Sequence, residues 1–519
     1  MTFSADSHAK IIIIGGGAIG CSVAYHLAKA GEKDVVLLEK AQITEGCTWH
    51  AAGLVGQLRS KRNLTRLMQN SVAVFDRLEK ESGLATDWKK DGSIRLASSP
   101  DRWSEIRRAM TQAKSFGAKC HSLSAAEAKE KFPFITTDGV VGAAFIPSDG
   151  YVDPYALTQS FAKAARLNGA IIKEGVTVRD IVVENRRAVG VVTDSGNYSC
   201  DILVNCAGLW AKRVGEMAGV PLAAGVVQHQ YFVTEKTLEF EADLPTLRDP
   251  DNNFYLKPDV AAFAIGGWEE GTTGCWRGKP PMDFGRELFE ENYDRLALFA
   301  TLAANRLPIL NETGIRTVIN GPIPVSADGE PIMGLAPELD NFYVACGFTA
   351  GIAASGGAGL ALANWIIEGD PGMDLWSFDV RRFGPQHCNG RFLEQRAIEA
   401  YAAYYKIHWP GEEPLAARPA RRSPLYETLK KQGAVYGSKS GWERPNYFST
   451  GAREVYSFEG KPNWFDVVGQ ECKAVRERVA LIDQSSFSKF EITGPGAFEY
   501  MQNLAANTIE KTPGKCTYT

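Results

Sequence analysis

The 519-residue sequence predicts an α/β protein in which the chain builds a nucleotide-type parallel sheet, leaves it to make an antiparallel sheet, and then returns. Three observations predict this. A strand, glycine-rich turn, helix and second strand open the chain, alternating apolar and polar runs dominate residues 220–335, and an uncharged strand–glycine–helix run follows at 341–367.

Ile11-Ile12-Ile13-Ile14 is a buried-strand run, and Gly15-Gly16-Gly17-Ala18-Ile19-Gly20 follows it directly. Gly15, Gly17 and Gly20 thus take the glycine positions of G-x-G-x-x-G. Gly15 permits the tight turn, Gly17 lets backbone approach a pyrophosphate, and Gly20 lets the helix from Ala18 to about Ala30 pack on the strand. Ala18 and Ile19 open that helix, whose N-terminus faces phosphate charge. The next strand, Asp34–Leu38, ends in Glu39, where a carboxylate suits adenosine ribose hydroxyls and repels a 2′-phosphate. FAD or NAD is therefore expected over NADP. The bland alternative is a glycine turn in an ordinary α/β domain with Glu39 on its surface.

Residues 61–135 carry helical periodicity (Leu64, Leu67, Met68, Val72, Phe75, Leu78) and read as a helical insertion. Asp153 then caps a helix that begins at Pro154 and runs through Leu167. Ala170–Ile172, Val176–Val178, Ile181–Val183 and Val189–Val192 read as strands, leading into the buried strand 201–205 and the small-residue turn Cys206-Ala207-Gly208. Gln228–Val233 and Asn253–Leu256 alternate as strands of a covering sheet, with one helix near 284–304. The strand Asn341–Cys346 is followed by Gly347 and Gly351, which offer a second helix N-terminus to a cofactor. After about Asp370 the composition shifts to Arg, Pro, Tyr and Trp, giving an aromatic connector to about Tyr447.

Composition narrows the function classes. A formal charge of −4 and a pI near 6.1 give no broad attraction for nucleic acid. The ten cysteines are scattered without a CxxC pair, as expected for reduced thiols in an intracellular, cytoplasmic protein. Met1–His8 shows neither a basic signal region nor an Arg-rich presequence. Residues 341–367 hold no charge, but their glycines and Asn364 suit a buried helix beside a cofactor better than a membrane span. The seven histidines show no metal-ligand spacing.

Cys47-Thr48-Trp49-His50-Ala51-Ala52-Gly53-Leu54 resembles the flavin-attachment segment of the dimethylglycine dehydrogenase and sarcosine dehydrogenase family, in which a histidine at this place bonds to the FAD 8α carbon. Val176–Val178, Asn205–Gly208, Asp328–Gly334 and the Gly347–Gly359 run are similar to successive FAD-contacting segments of the wider D-amino-acid-oxidase group. The resemblance implies a discontinuous Rossmann-like FAD-binding domain of the D-amino-acid-oxidase type (1–219 and 321–370), an antiparallel-sheet substrate domain (220–320) and a connector (371–447). Residues 448–519 resemble the start of a glycine-cleavage T-protein-like folate domain and are too few for that fold to close, so a fragment of a longer polypeptide is expected, with tetrahydrofolate bound only where the remainder is present. It further implies that Glu39, Lys40, Thr48, Ala52, Gly53, Leu54, Ala207, Gly208, Gly347, Gly351 and Ile352 contact FAD and that Val178 contacts adenine.

A neutral imidazole is a competent nucleophile, so His50 could attack the electron-poor flavin methyl, with Cys47 as the rival atom. Oxidising an N-methyl amine requires its nitrogen lone pair and a C–H bond aimed at flavin N5. His229 and Tyr255 match positions where relatives place a substrate-facing histidine and tyrosine, against the plain alternative of strand packing. Trp268 is nominated for an aromatic wall by composition alone. The expectation is oxidative demethylation of dimethylglycine or sarcosine, with an electron-transfer flavoprotein or oxygen as acceptor. The alternatives are an amine oxidase or, in a different class, a non-catalytic regulator like the regulatory subunit of pyruvate dehydrogenase phosphatase.

Overall fold

Ile11 and Ile13 enter one hydrophobic cluster while Ile12 and Ile14 enter another on the opposite face of the same strand, His8–Ile14. A strand buried on both faces has no polar side to show, which is why the run does not alternate. In the computed structural model, which describes residues 8–59, 61–115, 117–236, 243–449, 451 and 454–519, this strand is central to an eight-stranded sheet. Met1–Ser7, read above for targeting signals, lies outside the described residues. Gly196–Asn205 pairs with the opening strand on one side and Val35–Leu38 on the other, both parallel. Phe342–Cys346 extends the sheet in parallel beyond Gly196–Asn205, and Ile332–Leu335 adds an antiparallel edge. The nucleotide-type sheet is thus discontinuous in sequence.

The second sheet also has eight strands. Its core pairing is the long antiparallel ladder between Ala224–Thr234 and Ile315–Ser326. Two expectations change here. Residues 61–135 are not purely helical, because Ser93–Ala97 and His121–Leu123 join this sheet, the former in parallel with Thr246–Asp249. Ser93-Ile94-Arg95-Leu96 alternates with period two, and Ile94 and Leu96 bury into the sheet core. The helix Arg62–Ser82 forms where the periodicity lies, and Pro100 opens a second helix, Pro100–Lys114. The return to the first sheet begins at Ile332 rather than 321, since 321–326 complete the strand Ile315–Ser326. Likewise the helix expected near 284–304 spans Tyr293–Arg306, and the strand expected at Val176–Val178 starts only at Val178.

The uncharged glycine run becomes the helix Gly351–Glu368, and its glycines have a packing reason. A Cβ on Gly357 would fall 1.9 Å from the Leu67 carbonyl oxygen. The helix therefore lies backbone-close to Arg62–Ser82, and it also packs on Ala18–Lys29. Among the described residues no helix is long and apolar enough to cross a membrane. Asp153 accepts from the Ala156 N–H at 2.7 Å and caps Pro154–Leu167 as expected.

The chain divides into two compact units, 1–418 with 455–462, and 419–454 with 463–519. Residues 419–447, read above with the connector, therefore group with the C-terminal residues. There they form the helix Tyr426–Lys431 and the hairpin Ala434–Lys439/Trp442–Phe448, and Ser423 donates to Asp483 at 2.5 Å. The connector's remaining helix, Gly390–Ala402, packs on the second sheet.

Candidate active site

The opening turn has the geometry its glycines predict. Gly15 adopts φ +111°, and a Cβ there would meet the Cys206 carbonyl oxygen at 2.5 Å. Gly20 lies outside the cavity that the turn borders and serves packing instead, since its Cβ would sit 2.0 Å from the Gly15 carbonyl oxygen. Gly17 is the N-cap of Ala18–Lys29 and carries no side-chain cap. The Ala18 N–H donates to Thr48 Oγ1 at 3.3 Å, and this helix N-terminus borders the cavity that the turn lines. Glu39 is buried, and its carboxylate accepts from the Gly16 N–H at 2.6 Å and the Ala41 N–H at 2.9 Å. It braces the turn as well as facing the cavity. Burial pushes its carboxyl above the usual range, opposed by those two N–H groups. Lys40 donates to the carbonyls of Met282 at 3.0 Å and Phe284 at 2.6 Å and lies over the Trp210 ring.

A continuous cavity of about 250 Å³ starts at this turn, where Gly15, Gly17, Ala18, Ile19, Glu39 and Lys40 line it. Val178, Ala207 and Gly208 lie along its wall. Thr48, His50, Ala52, Gly53 and Leu54 form another side, and Gly347, Gly351 and Ile352 contribute the start of the returning helix. Six separate stretches of sequence thus converge on one space.

His50 is 6% exposed, and its Nε2 has no hydrogen-bond partner. Burial lowers its pKa from 6.5 to about 4, so the ring is neutral at physiological pH. Its neighbour Trp49 meets it edge-on at 5.3 Å. Cys47 also lines the cavity, but burial pushes its thiol up to about 11 and removes the thiolate a nucleophilic sulfur needs. The glycine turn and, further along the same cavity, the unpartnered neutral imidazole of His50 leave a space that fits a dinucleotide laid along it.

Beyond His50 the cavity is walled by aromatics. His229, on Ala224–Thr234, has Nε2 2.8 Å from the Tyr255 hydroxyl and Nδ1 2.9 Å from the Tyr401 hydroxyl. The rings of Trp268 and His229 stack at 4.9 Å, and Tyr404 stacks on Trp268 at 3.9 Å. Burial lowers the His229 pKa to about 3, helped by His50 and Arg295. Tyr401 and Tyr404 escaped the sequence reading. Tyr401 lies in the last turn of Gly390–Ala402 and Tyr404 and Tyr405 in the turn that follows, an i, i+3, i+4 spacing that was the available signal. Arg59 and Arg248 line the same end, and Arg59 reaches the Tyr404 hydroxyl at 3.2 Å.

The family model for FAD dependent oxidoreductases matches residues 10–365. The chain belongs to the FAD-dependent oxidoreductase family. A model for the family's central domain matches 368–423, and one for the GCVT N-terminal domain matches 425–519. The boundary between these two models falls a few residues after the unit division at 418, although 455–462 group with the first unit. Mitochondrial sarcosine dehydrogenase of Homo sapiens is 36% identical over 99% of this chain and 59% of its own length. Mitochondrial dimethylglycine dehydrogenase of Mus musculus is 37% identical over 97% of this chain and 59% of its own. The chain thus spans about three fifths of these relatives. Among solved structures, L-proline dehydrogenase from P. horikoshii superposes with a TM-score of 0.66 at 26% identity, over 72% of this chain and 98% of that one.

Proposed function

We propose that the protein oxidatively demethylates a small N-methylated amino acid, dimethylglycine or sarcosine, using FAD carried covalently on His50. The substrate class rests on the relatives named above. The observation that carries the site reading is the cavity running from the glycine turn, past the unpartnered His50 Nε2, to the His229–Tyr255 pair.

In this reading Gly15, Gly17, Ala18 and Ile19 hold the pyrophosphate, Glu39 and Lys40 flank the adenosine ribose, and Val178 meets adenine. Thr48, Ala52, Gly53, Leu54, Ala207, Gly208, Gly347, Gly351 and Ile352 enclose the rest of the cofactor. FAD bound there supplies a two-electron acceptor for hydride from the N-methyl carbon. Tyr255 and His229 orient the amine, the aromatic wall excludes water, and Arg59 and Arg248 offer charge to the substrate carboxylate. The iminium left on the substrate takes up water, giving the demethylated amine and a one-carbon unit at the formaldehyde level. The ten free cysteines favour a reducing compartment, which we take as cytoplasmic. The flavin's electrons pass on to an electron-transfer flavoprotein or to oxygen.

The test is to express the chain, precipitate it with acid and follow the yellow colour. Colour should stay with wild-type protein and leave His50→Ala. Loss from both alike would refute the covalent bond. Dimethylglycine or sarcosine should bleach the wild type anaerobically, and failure of both would remove the substrate class.

A further inference from the structure

The groups behind His229 form a hydrogen-bonded line ending in a buried charge. Tyr401 Oη lies 2.9 Å from Glu269 Oε2 on its far side, and Arg295 Nε donates to Glu269 Oε1 at 2.9 Å. The Glu269 side chain has no solvent exposure, and that of Arg295 is 9% exposed. Arg295 Nη1 also donates to Gln228 Oε1 at 3.0 Å.

Proton counting along the line leaves one arrangement. Burial raises the Glu269 carboxyl pKa and the adjacent guanidinium opposes it; with two Arg295 N–H groups on Oε1 and the Tyr401 hydroxyl on Oε2, the geometry satisfies the ionised form, in which Glu269 only accepts. Tyr401 has one proton. An anionic oxygen at 2.9 Å is a stronger acceptor than the Gly267 carbonyl at 3.3 Å, so Tyr401 donates to Glu269. The Tyr401 oxygen must then accept from His229, which places the imidazole proton on Nδ1. The ring is neutral, because burial, His50 and Arg295 all oppose a second proton. Its Nε2 is therefore an acceptor, and Tyr255 donates to it. The Tyr255 oxygen is left with lone pairs toward the cavity, where an amine or ammonium N–H can donate.

We propose that Glu269, acting through Tyr401, is a positioning residue that holds His229 as its Nδ1–H tautomer and thereby turns the Tyr255 oxygen into an acceptor for the substrate nitrogen. The substrate half of this statement rests on the amine-oxidising reading above; the tautomer half does not. Glu269→Gln keeps the shape but supplies an amide donor, so the line can reverse: Tyr401 donates to Nδ1, Nε2–H donates to Tyr255, and the Tyr255 proton faces the amine.

The test uses the full chain as purified, labelled with ¹⁵N-histidine, with the His229 signals assigned by their loss in His229→Asn. Wild type should show a protonated Nδ1 and a bare Nε2, Glu269→Gln the reverse, and Tyr401→Phe, which cuts the line but leaves the Glu269–Arg295 pair, a mixture. Should Glu269→Gln fail to fold, Tyr401→Phe carries the test alone. In the kinetics of dimethylglycine or sarcosine oxidation, Glu269→Gln should lose roughly tenfold in kcat/KM, the worth of one directed hydrogen bond, and Tyr401→Phe only about two- to threefold, in proportion to the tautomer fraction it loses. Nε2–H in wild type, or a tautomer unmoved in every folded variant, would overturn the proposal. Tautomers as expected without any bleaching by either amine would sink only the substrate reading, whereas bleaching with the opposite tautomer would sink only the positioning role.

Discussion

Gly321 is matched to His50: a Cβ on residue 321 would lie 2.7 Å from the imidazole Cε1 and 2.8 Å from Nδ1. Residue 321 pairs with His229 across the ladder of the second sheet, so one register places both histidines. Gly321→Ala should push the His50 ring aside without unfolding the strand, since alanine is tolerated there by backbone geometry. The expected outcome is folded protein whose yellow colour leaves on acid precipitation, as for His50→Ala.

Gly20→Ala should act earlier, on the fold itself. Its methyl would meet the Gly15 carbonyl oxygen at 2.0 Å, and backbone cannot yield as a flexible side chain can. A loss of about 1–3 kcal/mol is expected from such overpacking. It should appear as a lowered urea midpoint together with weakened flavin retention.

The buried pair between Arg306 and Asp249, at 2.8 Å, ties the helix Tyr293–Arg306 to the second sheet. Arg306 also donates to the Thr136 and Asp138 carbonyls, each at 2.9 Å. Asp249→Ala strands the guanidinium and should cost about 3–5 kcal/mol. Thermal denaturation checks this, and the double change Asp249→Ala with Arg306→Met should recover part of the loss.

Acid should destabilise the fold through His26. The ring is buried in Ala18–Lys29 with Nε2 unpartnered, and burial lowers its pKa from 6.5 to about 3. Between those values the unfolded chain binds the proton and the folded one does not, so stability falls as pH drops below 6.5. One such group costs about 2 kcal/mol at pH 5. Urea unfolding at pH 7.5 and 5 should show a smaller difference in His26→Leu than in wild type.

Much of the nucleotide end was legible because local rules act there. The turn at Gly15, the strand ending in Glu39 and the cap at Asp153 are each determined within a few residues. The substrate end was less so. Ser93–Ala97 reads correctly only once Thr246–Asp249 is known to lie beside it, and Tyr401 gains meaning only from His229 and Glu269, both remote in sequence. Trp268 had no pattern to mark it, yet it stacks on His229. Long-range placement, rather than local propensity, decides those residues.

Phe342–Cys346 joins the first sheet by pairing with Gly196–Asn205, and every strand from Ala224 to Ser326 in between belongs to the other sheet. A ribosome must therefore emit both strands and the whole intervening excursion before the nucleotide cradle can close. Early in synthesis the nascent chain holds Gly15 and Glu39 without the wall that Gly347 and Gly351 supply. Such distant pairing carries a large loop-closure cost and slows folding. Bound dinucleotide, by favouring the closed sheet, would act on the newborn protein as a folding aid before it served as a reagent.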